Sequence, residues 1–490
     1  METLSHTTWD VIISGTDLKN SLLALALSRS HKKILHIDEN EYYGGTTAAL
    51  SLDEADEWAS KNLYSRNVLF HNVSLWRTET LDDLVKLSPS RSYNLTLSPF
   101  IIYSKSKLLE KLVSSAIHRQ IEFLAVGNWW IFEDDSQTLK KIPNGREDIF
   151  LDGSIDNKSK RSLMKFIRFV VHFESHTGVW SELSEDSLED FLASQFQLGV
   201  VLRKIISAIS LTLHPPEKTT VAWALPRISK HLNSHGVLGT GFNAVYPKWG
   251  CGAEISQAAC RTGAVGGATY ILGTAIERTY TTTCESEEFI GVQLSSGVDV
   301  ATRHLISTSE NYQPHKNKSV SRIIAVTTAK LSSFFQCSIE GAPTPAVCVV
   351  NFPAGTLKVQ DSTSFGNPIY LTIHSSETGE CPDGQYIINA TTIASDISKN
   401  ALELSISTFL SVVGDAEGKL LYKLYFDFSP GGKDRGTSDR LHEQPIDLTF
   451  DDCILDEVET QWRTIIVNEN DPGDFMRFQN MVNETVYDTD

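Results

Sequence analysis

The sequence predicts an α/β (α+β) fold: a large domain with a Rossmann-type βαβ unit and mixed sheets, carrying a smaller all-helical domain as an insertion. Three observations predict it. A glycine turn near the N-terminus lies between an apolar strand-like run and an apolar helix, and a second strand follows. Residues 156–233 then read almost wholly as helix. From Gly236 the chain returns to glycine-rich loops and strands. The predicted boundaries are 1–147 and 234–490 for the discontinuous large domain, and 148–233 for the helical one. At 490 residues the chain is long enough for both cores.

The N-terminal unit comes first. Trp9 to Ser14 reads as a buried strand, Leu22 to Ser30 as a helix, and Lys33 to Ile37 as a second strand ending at Asp38. Strand, glycine turn, helix, strand and terminal acid is the layout of a dinucleotide site. A working site needs G-x-G-x-x-G. Here Gly15 is kept, but Asp17 stands at the second glycine and Asn20 at the third. The second glycine lets backbone approach a pyrophosphate. A carboxylate there repels the phosphates by roughly 4 kcal/mol at 4 Å, for an effective dielectric near 20. The layout therefore predicts the fold without the cofactor, and no cofactor is expected.

The elements that follow are a helix around Lys105–Ile117 and strand-like runs at Ile121–Val126 and Trp129–Phe132. Lys158–His172 carries Leu163, Phe166, Ile167 and Val170 at helical spacing. Further helices are expected at Leu188–Phe196, Gly199–Leu213 and Thr219–Ser234, with Pro215-Pro216 as punctuation. Strands are expected at Phe289–Leu294, Arg322–Thr327, Ala346–Phe352 and Leu420–Phe428. The part from Glu443 onward is acid-rich and partly helical.

Composition excludes several classes. The formal net charge of −18 argues against nucleic acid and against adsorption to anionic lipid. Seven cysteines, an odd number in a long chain, read as reduced and intracellular. No apolar run approaches a bilayer span. Cys251 and Cys260 lack partners at metal spacing, so no metal is assigned. No nucleophile elbow, phosphate loop or His/Glu metal-binding helix is present. His36 lies in a predicted core strand and is expected to pack rather than catalyse.

Two clusters carry the functional reading. Tyr43, beside Gly44-Gly45, is a plausible exposed aromatic of the kind suited to protein contacts. In the run Tyr246 to Arg261, Glu254, Gln257 and Arg261 sit at i, i+3 and i+7, which puts them on one helix face. That face is either a solvated stripe or a polar recognition surface.

These segments together resemble the Rab escort protein and Rab GDP-dissociation inhibitor superfamily. The resemblance rests on Asp10 to Thr16, Lys33 to Asp38, Tyr42-Tyr43-Gly44-Gly45, and Tyr246-Pro247 through Glu254, Gln257 and Arg261, and it covers most of the chain. It implies a large domain related to flavin monooxygenases but lacking cofactor. It also implies a small helical domain with a geranylgeranyl pocket. The implied partners are GDP-bound Rab GTPases, held on a platform matched here by Tyr43, Glu254, Gln257 and Arg261.

Within the superfamily, the escort branch also presents unprenylated Rab to the geranylgeranyltransferase heterodimer. Its transferase contact resembles a phenylalanine followed eleven residues later by an arginine, before a Leu-Met-Lys-Phe-like helix. Phe150 and Arg161 match it, ahead of Leu163-Met164-Lys165-Phe166. The resemblance thus implies an accessory, non-catalytic subunit that is cytosolic and transiently membrane-associated. Phe166, Val170, Phe191 and Ile205 are candidate lipid-pocket walls, although their spacing is equally that of ordinary core. The inhibitor branch, recycling prenylated Rab, is the first alternative. A flavin-dependent oxidoreductase is the second. Three departures stand out: Asp17 replaces a glycine, Ser256 a typical proline, and Ala253 adds a residue before Glu254.

Overall fold

The computed structural model describes residues 2–63, 69–78, 86–143, 149, 153, 155–284, 287–307, 313–314, 319–337, 339–359, 363–414, 418–429, 431–432, 448–467 and 474–478. Strand β1 (Thr8–Ser14), helix α1 (Leu18–Leu27) and strand β2 (Ile34–Ile37) form the predicted βαβ unit. β1 and β2 are parallel, with Val11 opposite Ile34 and Ile13 opposite His36. They lie in a six-stranded sheet ordered Thr269–Ile271, β2, β1, Asp299–Ser307, Glu287–Leu294, Ile276–Cys284. The first four strands are parallel and the last three form antiparallel hairpins.

α1 is buried along nearly its whole length because it is covered on two sides. One is a helix at Gly252–Val265 and the other a helix at Cys453–Ile466. α1 starts four residues earlier than the sequence pattern predicts, since the Asp17 side chain accepts from Asn20 N and caps it. It also ends earlier. The Ser28 and Ser30 hydroxyls donate back to Leu25 O and Leu27 O, and His31 turns out with a φ of 55°.

The second sheet is larger and mixed. Its main path has nine strands, running from Phe70–Arg77 at one edge to Ile102–Tyr103 at the other, and Thr138–Lys141 pairs on as the tenth. The expected strands at Ile121–Val126 and Trp129–Phe132 prove to be one strand, Phe123–Glu133. Asn128, with φ 59°, makes a local irregularity in it, and its amide donates to Phe334 O and Gln336 O. The strands expected at Arg322–Thr327, Ala346–Phe352 and Leu420–Phe428 all belong to this sheet.

The helical segment contains α2 (Asn157–Val171), α3 (Leu188–Phe196), α4 (Val200–Ile209) and α5 (Val221–Asn233). Asp156 caps α2 by accepting from Lys158 N and Ser159 N, and Ser187 caps α3. Phe166, Phe169, Phe191 and Phe196 interlock between α2 and α3, with ring centroids 5.1–6.5 Å apart. The bundle is not detached from the sheet. Its core is continuous with Val126, Trp129, Val347 and Tyr370, and Tyr370 donates to Ala208 O at 3.2 Å.

The chain then re-enters the sheet at Ala244–Pro247, makes a tight turn, and runs into α6 (Gly252–Val265). Gly250 permits that turn. Its φ is 116°, and a Cβ there would lie 2.4 Å from the Ala49 Cβ. Gly250→Ala is therefore expected to destabilise the fold by about 2 kcal/mol or more. A reduced urea midpoint relative to the parent chain checks this.

Candidate functional site

The glycine turn is held by the acid that ends β2. Asp38 is buried, and its Oδ2 accepts from both the backbone N and the Oγ1 of Thr16, each at 2.6 Å. Its Oδ1 accepts from Asn40 N at 2.8 Å. Thr16 in turn fixes the next loop: Gly44 N donates to Thr16 O at 3.2 Å and to Thr16 Oγ1 at 3.1 Å. Asn20, at the third glycine position, donates its amide to Ser14 O and Gly15 O. The side chains of Thr16, Asn20 and Asp38, which would face a dinucleotide, are thus spent on the protein itself. The loop carrying Tyr43 is the beneficiary.

Burial raises the Asp17 carboxyl to about 6, against the opposing hydrogen bond from Asn20 N and the charge of Lys19. Burial lowers His36 to about 4, although its Nε2 lies 2.7 Å from Gly15 O. His36 is neutral near pH 7 and sits in the core strand as the sequence predicts.

The Tyr43 loop lies against α6. A Cβ on Gly44 would come within 3.3 Å of the Ala253 Cα, and one on Gly252 within 3.0 Å of Thr47 Cβ. Tyr43 is half-buried. Burial first, then the neighbouring Cys260 thiol, push its hydroxyl above the ordinary range. On α6 the residues Ile255, Ser256, Ala258, Ala259 and Cys260 face inward. Glu254 and Gln257 are half-buried and Arg261 is exposed, so the three share the outward face. Ala253, in the first turn of α6, is fully buried against Gly44. Burial raises the Glu254 carboxyl, and Arg261 partly offsets the shift. The four predicted platform residues therefore lie on adjoining elements.

Arg161 lies elsewhere, on the exposed face of α2. A groove of about 750 Å³ runs there, lined by Asn157, Lys160, Arg161, Met164, Lys165, Arg168, Phe169 and His176. α2 carries no acidic side chain, which gives a cationic strip on an acidic protein. Phe150 lies outside the described residues. The four candidate lipid-pocket walls, Phe166, Val170, Phe191 and Ile205, are all buried in one closed core. A lipid chain entering there must first part α2 from its neighbours. Among the described residues, no group of three or more His, Cys, Asp or Glu side chains is placed to hold a metal ion. None of the described helices is long and apolar enough to cross a membrane.

Comparison with known proteins assigns the family. The family model described as "GDP dissociation inhibitor" matches residues 5–422. The chain belongs to the GDP dissociation inhibitor family. It is 34% identical to the Rab proteins geranylgeranyltransferase component A of Saccharomyces cerevisiae, over 77% of this chain and 60% of that protein. It is 27% identical to the protein of the same name from Candida albicans, over 81% and 61%. The chain thus spans about three-fifths of the length of these relatives. To the Rab GDP-dissociation inhibitor of S. cerevisiae it is 24% identical, over 87% of this chain and 89% of that one. Its fold is shared with the crystal structure of a Rab GDI from Plasmodium falciparum, at a TM-score of 0.65 and 19% identity, over 95% and 99% of the two chains. An oxidoreductase from Methanosarcina mazei has the same fold at a TM-score of 0.52 and 12% identity, over 89% of each chain.

The flavoprotein-like fold raises the question of a dinucleotide, and the residues here do not fit one. The Asp17 carboxylate occupies the N-terminus of α1, where a pyrophosphate would need bare N–H groups. The Asp38 carboxylate, which would take a ribose hydroxyl, is engaged by Thr16 and Asn40.

Sequence reasoning missed Thr16 as the link between Asp38 and the Tyr43 loop. Only the structure shows that its hydroxyl serves both. It also missed Gln120, whose amide donates to Thr262 Oγ1 and whose Oε1 accepts from Arg261.

Two outcomes follow. Thr16→Val removes one donor to a buried carboxylate and one acceptor for Gly44 N. Stability is expected to fall by about 1–3 kcal/mol, with faster amide hydrogen exchange at Gly44. For Asp17, the folded pKa of about 6 lies above the unfolded value of about 4. The folded state binds more protons between those values, so stability falls as pH rises through them. Asp17→Asn, which keeps the cap, is expected to match the parent near pH 4 and to exceed it by about 1–2 kcal/mol above pH 6. Urea unfolding across that pH range reads the difference.

Proposed function

We propose that this protein is a Rab escort-type accessory subunit. It binds GDP-state Rab GTPases, presents them to a Rab geranylgeranyltransferase heterodimer, and carries the prenylated product to membranes. It is not itself the catalyst. The observation that carries the reading is the convergence of Tyr43 with Glu254, Gln257 and Arg261 on adjoining elements. Such a surface offers aromatic area and charged hydrogen bonds together, a combination common in binding hot spots.

Higher identity to component A proteins than to GDP-dissociation inhibitors supports the escort branch. The exposed, cationic groove at Arg161 supports a second docking surface, with Phe150 and Arg161 as the transferase contact. Prenylated Rab would then part α2 from α3 and bury lipid among Phe166, Val170, Phe191 and Ile205. At ~0.8 kcal/mol per CH₂ even a partial burial is worth several kcal/mol, enough for a carrier to compete with a bilayer. The protein would work in the cytosol with transient membrane contact.

One observation favours a second reading. The chain covers 89% of the yeast inhibitor but only 60% of the yeast component A. An inhibitor would extract prenylated Rab without engaging the transferase.

Reconstituted prenylation separates them. Rab-GDP, transferase and geranylgeranyl diphosphate are expected to incorporate lipid into Rab only when this protein is added. Phe150→Ala or Arg161→Ala is expected to reduce incorporation at least about tenfold, the loss of one hot-spot anchor, while leaving Rab-GDP binding intact. Extraction of prenylated Rab from membranes without any stimulated incorporation would assign the inhibitor role.

A further inference from the structure

The turn that leads into α6 holds a tryptophan in water at a cost. Trp249 is 50% exposed. Its φ is 70°, and Gly250 at 116° and Cys251 at 55° follow it, so three consecutive residues have positive φ. Two of them, Trp249 and Cys251, carry side chains, and positive φ is a conformation that such residues rarely adopt.

The surroundings hold this conformation firmly. Trp249 N donates to Thr378 O at 2.9 Å, and Lys248 N donates to Glu122 O at 2.9 Å. Cys251 Sγ donates to Phe100 O at 3.1 Å. The indole leans on Gly379, where a Cβ would lie 2.3 Å from the ring. Stability alone would favour burying a large aromatic. Here a strained backbone keeps half of one exposed, which is the pattern of a binding element.

The tryptophan is continuous with the α6 surface. Lys248 Nζ stands 5.2 Å from the indole centroid and bonds Glu122 at 3.1 Å. Two residues before Glu122, Gln120 is bonded to both Thr262 and Arg261. Lys248 thus links Trp249 to Glu122, and the same short segment, two residues earlier, is tied by Gln120 to Arg261 and Thr262 on α6. The charges of Lys248 and Glu122 cancel, leaving the aromatic face without net repulsion in an acidic protein.

We propose that Trp249 is an anchor of the GTPase-binding surface, seated in an apolar depression on the bound Rab. The platform extends from Tyr43 across α6 to the turn before it. This rests on the platform reading above and adds a contact that the family motif does not assign.

The test is titration of this 490-residue chain with GDP-loaded Rab GTPase, comparing the parent with Trp249→Ala, Trp249→Phe and Arg261→Ala. Trp249→Ala is expected to weaken binding at least about tenfold, chiefly by faster dissociation, and Trp249→Phe by no more than about threefold. The emission difference between the parent and Trp249→Phe is expected to shift to the blue when Rab is added. Because that readout uses folded chains only, it decides the matter even if Trp249→Ala folds poorly. Parent-like binding by Trp249→Ala, or no blue shift, with Arg261→Ala still impaired, overturns the anchor and leaves the platform standing. Failure of the parent to bind Rab overturns both.

Discussion

The hydrogen bonds from Thr16 to the Asp38 carboxylate are the constraint on which the rest of the candidate surface depends. They join the end of β2 to the turn after β1, and the Thr16 hydroxyl passes the constraint on to Gly44. A buried carboxylate must be satisfied by donors, since leaving one unpaired costs several kcal/mol. Two of the donors here belong to Thr16, so the turn cannot relax without exposing Asp38 to that cost. Tyr43 is therefore held by the electrostatics of a charge that in an ordinary dinucleotide site would serve a ligand.

The same substitutions that close the site to a dinucleotide make it self-sufficient. A helix N-terminus with open N–H groups attracts anions. Asp17 supplies the anion from within, and Asn20 satisfies the carbonyls of the preceding turn. The sheet order is unaffected, because strand pairing in the βαβ unit uses backbone groups and apolar faces that these changes do not touch. Fold and cofactor are thus separable: one lies in the strands and helix, the other in three side-chain positions.

This separation explains what was legible in the sequence. Apolar runs with the right period gave β1, α1, β2 and the helices between 157 and 233, since those elements bury continuous faces. The i, i+3, i+7 spacing put Glu254, Gln257 and Arg261 on one face of α6. The span from Ile121 to Phe132 was misread as two strands, because Gly127-Asn128 looks like a break when the Asn128 amide contacts with Phe334 and Gln336 are unknown. The backbone of the turn before α6 was equally illegible, because positive φ at Trp249 and Cys251 is not what their residue types favour. Thr16 and Trp249 were invisible as functional residues for a related reason: each acts through partners far away in the chain.

The turn before α6 can hold its strain because the strand beneath it is anchored by a buried charge. Tyr246, at the end of Ala244–Pro247, donates to the buried Glu380 at 2.7 Å. Thr96 donates to the same oxygen at 2.9 Å, and His374 bonds the other. Three separate segments therefore converge on one carboxylate that water does not reach. Burial drives the Tyr246 hydroxyl well above its ordinary range, so it stays a donor at any physiological pH. Next to Glu380 in sequence, Thr378 accepts the Trp249 N–H and Gly379 makes room for the indole. The segment that satisfies the buried charge is thus also the one that braces the exposed ring. A displaced Trp249 would require Thr378 and Gly379 to move, and Glu380 ties both to the core of the larger sheet.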